Sequence, residues 1–297
     1  MSASISETSQ RPYGVERVCA AWGEPRSSFY AWKRSCEAPA TPPPAKRGPK
    51  TKLRDEELLG LIRADLARSP FRGEGHRKVH ARLGALDGVH VARKRVLRVM
   101  REAHLLSPHR GRQGERRAHE GVITTEAPNV MWGTDGARVL TARDGYVWLF
   151  IAVEHWNFEC MGWHVSKIGD RFAALEPLAA GVKRIFGSAG PDVARGLSVR
   201  MDHGTQYTSE HFTRQLRFWG IRPSYAFVEE PQTNGVAERF VGIVREQVLN
   251  GRIFLDTEEV RSAVGEFVER FNREWRVEKL KFSSPMAMRE REMAKAA

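Results

Sequence analysis

Three acidic residues stand where a folded chain tends to gather chemistry. Asp135 closes the run MWGTD, Asp202 closes SVRMD, and Glu238 follows Asn234 and Gly235 in the first turns of an amphipathic segment. Such runs read as strands. In an open α/β sheet, strand ends lie beside the helix starts of neighbouring units, so the three carboxylates can meet. Brought within a few ångströms they repel one another unless a cation neutralises them. Oxygen ligands of this kind suit Mg²⁺, which keeps open positions for water and for a substrate phosphate. Two such ions about 3.5–4 Å apart activate an attacking oxygen and stabilise the leaving one in an in-line displacement at phosphorus. The same residue types also serve as ordinary turn and cap residues, so their surroundings must decide.

Those surroundings point toward a phosphodiester. Glu238 and Arg245 are seven apart and share a helical face, whereas Phe240, Ile243, Val244 and Gln247 point the other way. An acid and a base then face one cleft, with Arg245 able to grip a phosphate next to the scissile one. The loop DHGTQYTS after Asp202 supplies Gln206, Tyr207 and Ser209 to the strand being cut, Ser209 being also a good helix cap. Zinc is not expected: Cys19, Cys36 and Cys160 form no CxxC pair, and no histidine pair stands at finger spacing beside one. The three cysteines read as reduced and structural.

The elements that must position these residues follow from periodicity. Val130 to Asp135, Tyr146 to Val153 and Cys160 to Ser166 are strand-like and closely linked, as in an antiparallel meander. A helix from Asp170 to Phe186, a strand from Leu197 to Met201, a helix from Ser209 to Trp219, a strand from Arg222 to Ala226 and a long helix from Asn234 to Leu249 complete the order βββαβαβα. The expected class is α/β, a mixed five-stranded sheet flanked by helices, its later strands parallel through crossover helices. One more helix, from Thr257 to Trp275, carries Val260, Val264, Phe267 and Phe271 in register.

Ahead of the sheet the chain reads as all-α. Val15, Val18, Cys19 and Trp22 share a helical face; a second helix, capped by Ser27 or Ser28, is expected to turn Phe29, Tyr30 and Trp32 inward. Residues 37–50 hold five prolines and read as an extended connector. Helices are then expected over 55–67, 76–86 and 91–105. On the last, Lys94, Arg98 and Arg101 cluster on one side and Val96, Val99, Met100 and Ala103 lie opposite, as a reader of the DNA major groove requires. An ordinary amphipathic surface helix shows the same pattern.

Charge favours the nucleic acid. Of 297 residues, 48 are basic and 36 acidic, a net +12. Residues 1–126 hold 25 basic and 14 acidic side chains, and the rest hold 23 and 22, so the excess sits in the helical part. No apolar run approaches the roughly 18 residues that cross a bilayer, and the N-terminus lacks the pattern of a secretory signal. A cytoplasmic protein without a membrane partner is expected.

With these motifs in place, the chain resembles the insertion-sequence transposases of the OrfB type, which carry a DDE integrase core and are encoded by the second frame of two-frame bacterial elements. The resemblance lies in WGTD at 132–135, DGYVWLFIAVEHWNFECMGWHVS at 144–166, DHGTQYTS at 202–209 and NGVAERFVGIVREQV at 234–248. Thirty-five residues separate Asp202 from Glu238, the spacing of that family, and Arg245 stands where Lys is frequent. Upstream, YGVERVCAAWGEPRSSFYAWKRS and GHRKVHARLG with ARKRVLRVMREAHLL are similar to the helical segments that precede such cores. The tail departs from the family: RFNREWRVEKLKFSSP keeps Asn272, Leu280 and Pro285 but lacks the Arg-Pro-His of many relatives.

The resemblance implies a ribonuclease H-like core in which Asp135, Asp202 and Glu238 are catalytic and hold two Mg²⁺ ions, with Mn²⁺ as a substitute. It also implies DNA contacts by Arg245 and, at the turn into the helix, Asn234, beside those read above for Lys94, Arg98, Arg101, Gln206 and Tyr207. Water first cuts at the element's ends to expose a 3′-OH, which then attacks a second phosphodiester. Implied partners are the terminal inverted repeats, target DNA, further copies of the chain on paired ends, and an upstream-frame protein, separate or joined by frameshifting; the implied setting is the bacterial nucleoid. The expected divisions are a helix-turn-helix-like segment 1–36, the connector 37–50, a helical DNA-binding domain 51–115, the catalytic core 127–255 and a helical tail 256–297. Two other functions fit part of the pattern, a plain nuclease of the same fold and a non-catalytic DNA-binding regulator derived from a transposase.

Overall fold

The computed structural model describes residues 3–37, 53–107, 125–226 and 234–296. The chain divides into two compact units, Met1–Lys52 and Leu53–Ala297. In the first, α1 (Gly14–Trp22) and α2 (Arg26–Glu37) are the expected helical pair. The first helix stops at Gly23, where a left-handed φ of 68° lets the N–H turn back to Ala20. Of the rings expected inward on α2, Phe29 is half-buried but Tyr30 is 42% exposed and Trp32 64%, and Trp22 of α1 is 68% exposed. Cys19 is the one buried apolar side chain among the described residues of this unit. Two short helices have too little facing surface to cover several large rings. The second helix also begins at Arg26, ahead of the serines expected to cap it. Apart from Glu37, the proline-rich connector lies outside the described residues.

The second unit begins with α3 (Asp55–Arg68), α4 (His76–Leu86) and α5 (Arg93–Glu102). Leu58, Ile62, Val79, Leu83, Val96 and Met100, all at 0% exposure, form their shared core. Beside it the Arg82 guanidinium bonds Asp65 at 2.7 and 2.9 Å and also Glu74, so three buried charges satisfy one another. The helical domain docks on the rest of the unit through Phe71, whose ring meets Trp275 edge-on at 4.9 Å. The Gln247 amide adds two hydrogen bonds to the Arg72 backbone, 2.9 and 3.0 Å long.

The sheet is the mixed five-stranded one expected. Strands β1 (Met131–Thr141), β2 (Gly145–Glu154) and β3 (Cys160–Ser166) form the antiparallel meander, and β4 (Ser198–Met201) and β5 (Arg222–Tyr225) add parallel to β1, giving the order β3-β2-β1-β4-β5. This is the ribonuclease H-like arrangement. Helix α6 (Arg171–Phe186) crosses from β3 to β4; α7 (Thr205–Thr208) and α8 (Glu210–Phe218) link β4 to β5. Helix α9 (Gly235–Val244) runs into a π-helical turn at Arg245–Leu249, and α10 (Thr257–Glu274) and α11 (Pro285–Ala296) follow.

Alternation along β1 and β2 sends Ala137, Val139, Leu149 and Ile151 to a core shared with Phe240, Val244 and Phe271, and sends Trp132 and Phe150 to a second core with Leu178, Val182 and Phe212. Helices therefore cover both faces. Helix α6 can lie on β3 because Gly162 has no side chain: a Cβ there would stand 2.1 Å from the Pro177 carbonyl oxygen.

Two elements differ from expectation. The first strand continues six residues past Asp135, since burial alternates again from Ala137 to Thr141 opposite β2. Helix α11 lies in the tail expected to be helical, but its charged composition gives it no boundaries of its own. Its one fully committed cation, Arg289, is 9% exposed and bonds the buried Glu159 carboxylate. Cys19 and Cys160 are buried free thiols, while Cys36 is free but exposed. No helix among the described residues is long and apolar enough to cross a membrane.

Candidate active site

Strand register brings the first two carboxylates together. In the parallel pair, Gly133 lies opposite Arg200. Two residues further along that register, Asp135 comes level with Asp202 on strands about 4.8 Å apart. Asp135 is thus inside its own strand rather than at its end, at the point where β4 stops. Being two residues from Gly133 and two from Ala137, it faces the same side of the sheet as both, the side covered by α9.

Gly133 sets how closely α9 approaches. A Cβ built there would lie 3.2 Å from Ala237 Cβ, 3.2 Å from Asn234 Oδ1 and 3.1 Å from His155 Nε2. The first turn of α9 therefore rests on β1, and Glu238 follows Ala237 into the space beside Asp135. Asn234, expected to touch DNA, is 2% exposed and donates from Nδ2 to the Thr134 carbonyl at 3.0 Å, so it fixes the turn into α9 and does not reach a strand. Backbone amides orient the aspartates: Gly136 N–H donates to Asp135 Oδ1 and Gly204 N–H to Asp202 Oδ1, each at 2.8 Å. The loop after β4 is pinned by His203, whose Nε2–H donates to the Ala226 carbonyl at 2.8 Å and whose ring stacks on Tyr225 at 5.4 Å.

Electrostatics shows that the acids sense one another. Burial pushes the Asp135 carboxyl up to about 6, with Asp202 and Glu238 adding to the rise and Arg245 opposing it. Glu238 is also raised, by burial first and then by Asp202. Among the described residues, no three acidic, histidine or cysteine side chains stand close enough to enclose an ion. A partly buried oxygen donor set with unneutralised charge fits a hard divalent cation.

The other expected contacts fare differently. Tyr207 is 0% exposed, its ring edge-on to Phe150 and to Phe212, so it cannot reach a DNA strand; the polar loop around it disguised a core residue. Ser209 caps α8 through its hydroxyl to Phe212 N–H. Gln206 remains half-buried on the Asp202 loop. On α5, Val96, Val99 and Met100 are buried as expected and Lys94 and Arg101 are exposed. Arg98, however, is held by Asp55 at 2.6 Å and Glu102 at 2.9 Å, which leaves it less free for phosphate.

Sequence reasoning missed His155 and Asn272. The first is 2% exposed with neither ring nitrogen hydrogen-bonded among the described residues. Asn272 clamps the start of β3, its Oδ1 accepting from Cys160 N–H and its Nδ2 donating to Cys160 C=O, both at 2.9 Å. Its retention in the divergent tail was the available signal.

Comparisons agree with the fold and its parts. Residues 53–113 match the HTH-like domain family, and residues 125–231 and 219–285 match two integrase core domain families. The chain thus carries a helix-turn-helix-like domain followed by an integrase core. It is homologous to the transposase InsD for insertion element IS2A/D/F/H/I/K of Escherichia coli, 28% identical over 182 residues that cover 59% of this chain and 60% of the relative. The transposase InsD for insertion element IS2D of strain K12 gives the same values. The chain spans about three fifths of the length of these relatives. Among solved structures, a simian T-cell lymphotropic virus intasome aligns at 16% identity over 65% of this chain and 68% of that one, with a TM-score of 0.42. The HTLV-2 integrase catalytic core domain in complex with magnesium aligns at 14% identity over 55% and 97%, with a TM-score of 0.41. The fold assignment rests on the strand order and the family matches.

Proposed function

We propose that the protein is a DDE transposase, a polynucleotidyl transferase that cuts DNA at the ends of an insertion sequence and joins the freed 3′-OH to target DNA. The observation that carries this reading is the placement of Asp135, Asp202 and Glu238, on β1, after β4 and on α9, where each raises or is raised by another. The homology to insertion-element transposases supports it.

In this reading the three carboxylates hold two Mg²⁺ ions, which Mn²⁺ can replace; when bound, the ions supply Lewis-acid stabilisation of charge on the attacking and leaving oxygens. Water attacks the phosphorus at the element's end, a new P–O bond forms, and the 3′ oxygen leaves as a hydroxyl, with a 5′-phosphate on the other side of the cut. That 3′ oxygen then attacks a target phosphodiester, loses its proton, and displaces the target's own 3′ oxygen. Arg245 neutralises a phosphate beside the scissile one, Gln206 contacts the strand from the Asp202 loop, and Asn234 holds the turn that presents Glu238. Lys94 and Arg101 bind the duplex through the helical domain. The working form is an oligomer on paired ends in the bacterial nucleoid, made by this chain alone or by its frameshifted fusion with an upstream frame.

The test uses labelled duplexes from the DNA that flanks the gene, incubated with the protein and Mg²⁺. Joined products with wild type and none with Asp202→Asn are expected. Hydrolysis without joining would make the protein a nuclease of this fold, and tight binding with no metal-dependent product would make it a regulator.

A further inference from the structure

A cleft of about 680 Å³ runs between the first turn of α4, the outer face of α9 and the segment that joins α10 to α11. None of Asp135, Asp202 and Glu238 lines it. Six cations do, Arg72, Arg77, Lys78, Arg239, Arg276 and Lys279, against the two carboxylates of Glu74 and Glu278. Both carboxylates are engaged: Glu278 faces Arg77 at 2.8 Å, and Glu74 faces Lys78 at 3.2 Å while also binding Arg82. Positive charge is left over. Its crowding is visible at Lys78, whose ammonium sits 2.9 Å above the Trp275 ring and whose pKa falls to about 8, through burial first, with Arg82 and Arg239 contributing.

A further feature asks for an anion. Helix α4 has eleven residues, and its N-cap, Gly75, offers no side chain to the free amides of the first turn. At the floor lies His155, 98% buried by its 2% exposure, with both ring nitrogens unpartnered among the described residues. Burial lowers its pKa to about 4, so the ring is neutral, and its Nε2 faces Gly133 on β1. At the edge of the cleft His76 has a lowered pKa, through burial first and then through Arg77, with Arg93 and Arg101 of α5 near enough to contribute.

We infer that this cleft is a second DNA subsite, which holds the phosphodiester backbone without reading sequence and leads a strand from the helical domain along α9 to the carboxylates. Arg239 follows Glu238 directly and lies 100° around the helix from it, so a strand leaving the cleft emerges on the acidic side. Arg239, Arg276 and the amides of α4 meet the phosphates. The inference rests on the chain's acting on DNA but not on its chemistry of cleavage.

Binding of the full-length protein to a mixed-sequence DNA duplex, measured by anisotropy in EDTA over a series of salt concentrations, tests it. Arg239→Gln with Arg276→Gln is expected to flatten the slope of log K against log salt by about 0.9 for each lost contact, roughly 2 in all. Arg239→Lys with Arg276→Lys should restore it, and Arg214→Gln on α8 should leave it as in wild type. Arg239 is exposed, so Arg239→Gln alone keeps the fold and is expected to show about half the change. A wild-type slope in folded Gln variants overturns the inference. Cleavage that survives Asp202→Asn would instead overturn the transposase reading and leave this slope to be judged by itself.

Discussion

A carboxyl raised to about 6 makes the metal-free fold sensitive to pH in a defined direction. Asp135 in the unfolded chain titrates near 3.9. Below about pH 4 both states are protonated and its contribution is fully favourable; as the pH rises through 6 the folded state must ionise a half-buried acid and that contribution is lost, at most about 3 kcal/mol for a shift of two units. Asp135→Asn is therefore expected to stabilise the metal-free protein by up to about 3 kcal/mol at pH 8 and to change little below pH 4. Urea denaturation at the two pH values measures it; a variant no more stable at pH 8 would deny the crowding of charge. Mg²⁺ should raise the melting temperature of wild type at pH 8 and raise that of Asp135→Asn less. Other residues were legible only in part. Asp135, Asp202 and Glu238 are readable only through the motifs around them, since Glu154 ends a strand and Asp170 and Asp256 cap helices as well, whereas Tyr207 sits in a polar loop whose burial depends on Phe150, far from it in sequence, and on Phe212 of the following helix.

Single side chains hold whole elements here. Asn272 satisfies both backbone groups of Cys160, so Asn272→Ala leaves a buried N–H and C=O unpaired and should cost about 2–3 kcal/mol in a urea titration. Arg82→Met strands Asp65 and Glu74 in the helical domain and should cost about 3–5 kcal/mol. A cost below 1 kcal/mol in either would show that the neighbours relax around the loss. At this scale the sequence is a good guide where one pattern decides. The third strand, Cys160–Ser166, and α4 carry clear periodicity and were placed to the residue. The first strand was cut short because Asp135 and Gly136 break the apolar run, although hydrogen bonds to β2 carry it on to Thr141. Helix α11 has no apolar stripe, because Arg289 enters the interior by pairing with acids from β2 and the β3 start.

Across the whole molecule, the excess of positive charge lies in residues 1–126, ahead of the sheet. The basic helical domain packs on the core through Phe71 and Gln247, so residues 53–297 form one body. That fragment should therefore unfold in a single transition at the temperature of the corresponding full-length transition, as calorimetry would show. Periodicity could not show this docking, since the contacts join a loop near residue 72 to a helix near residue 247. Nor could it show the exposed aromatics of the first unit, which have the spacing of a core but are not covered by the described residues of that unit.

Convergence of the three acids on divalent ions is most directly measured by titrating the DNA-bound protein with Mn²⁺ and following the free ion by electron paramagnetic resonance. Wild type should take up ions that Asp135→Asn, Asp202→Asn and Glu238→Gln each fail to retain. Identical uptake by wild type and all three variants would mean that these carboxylates do not share an ion.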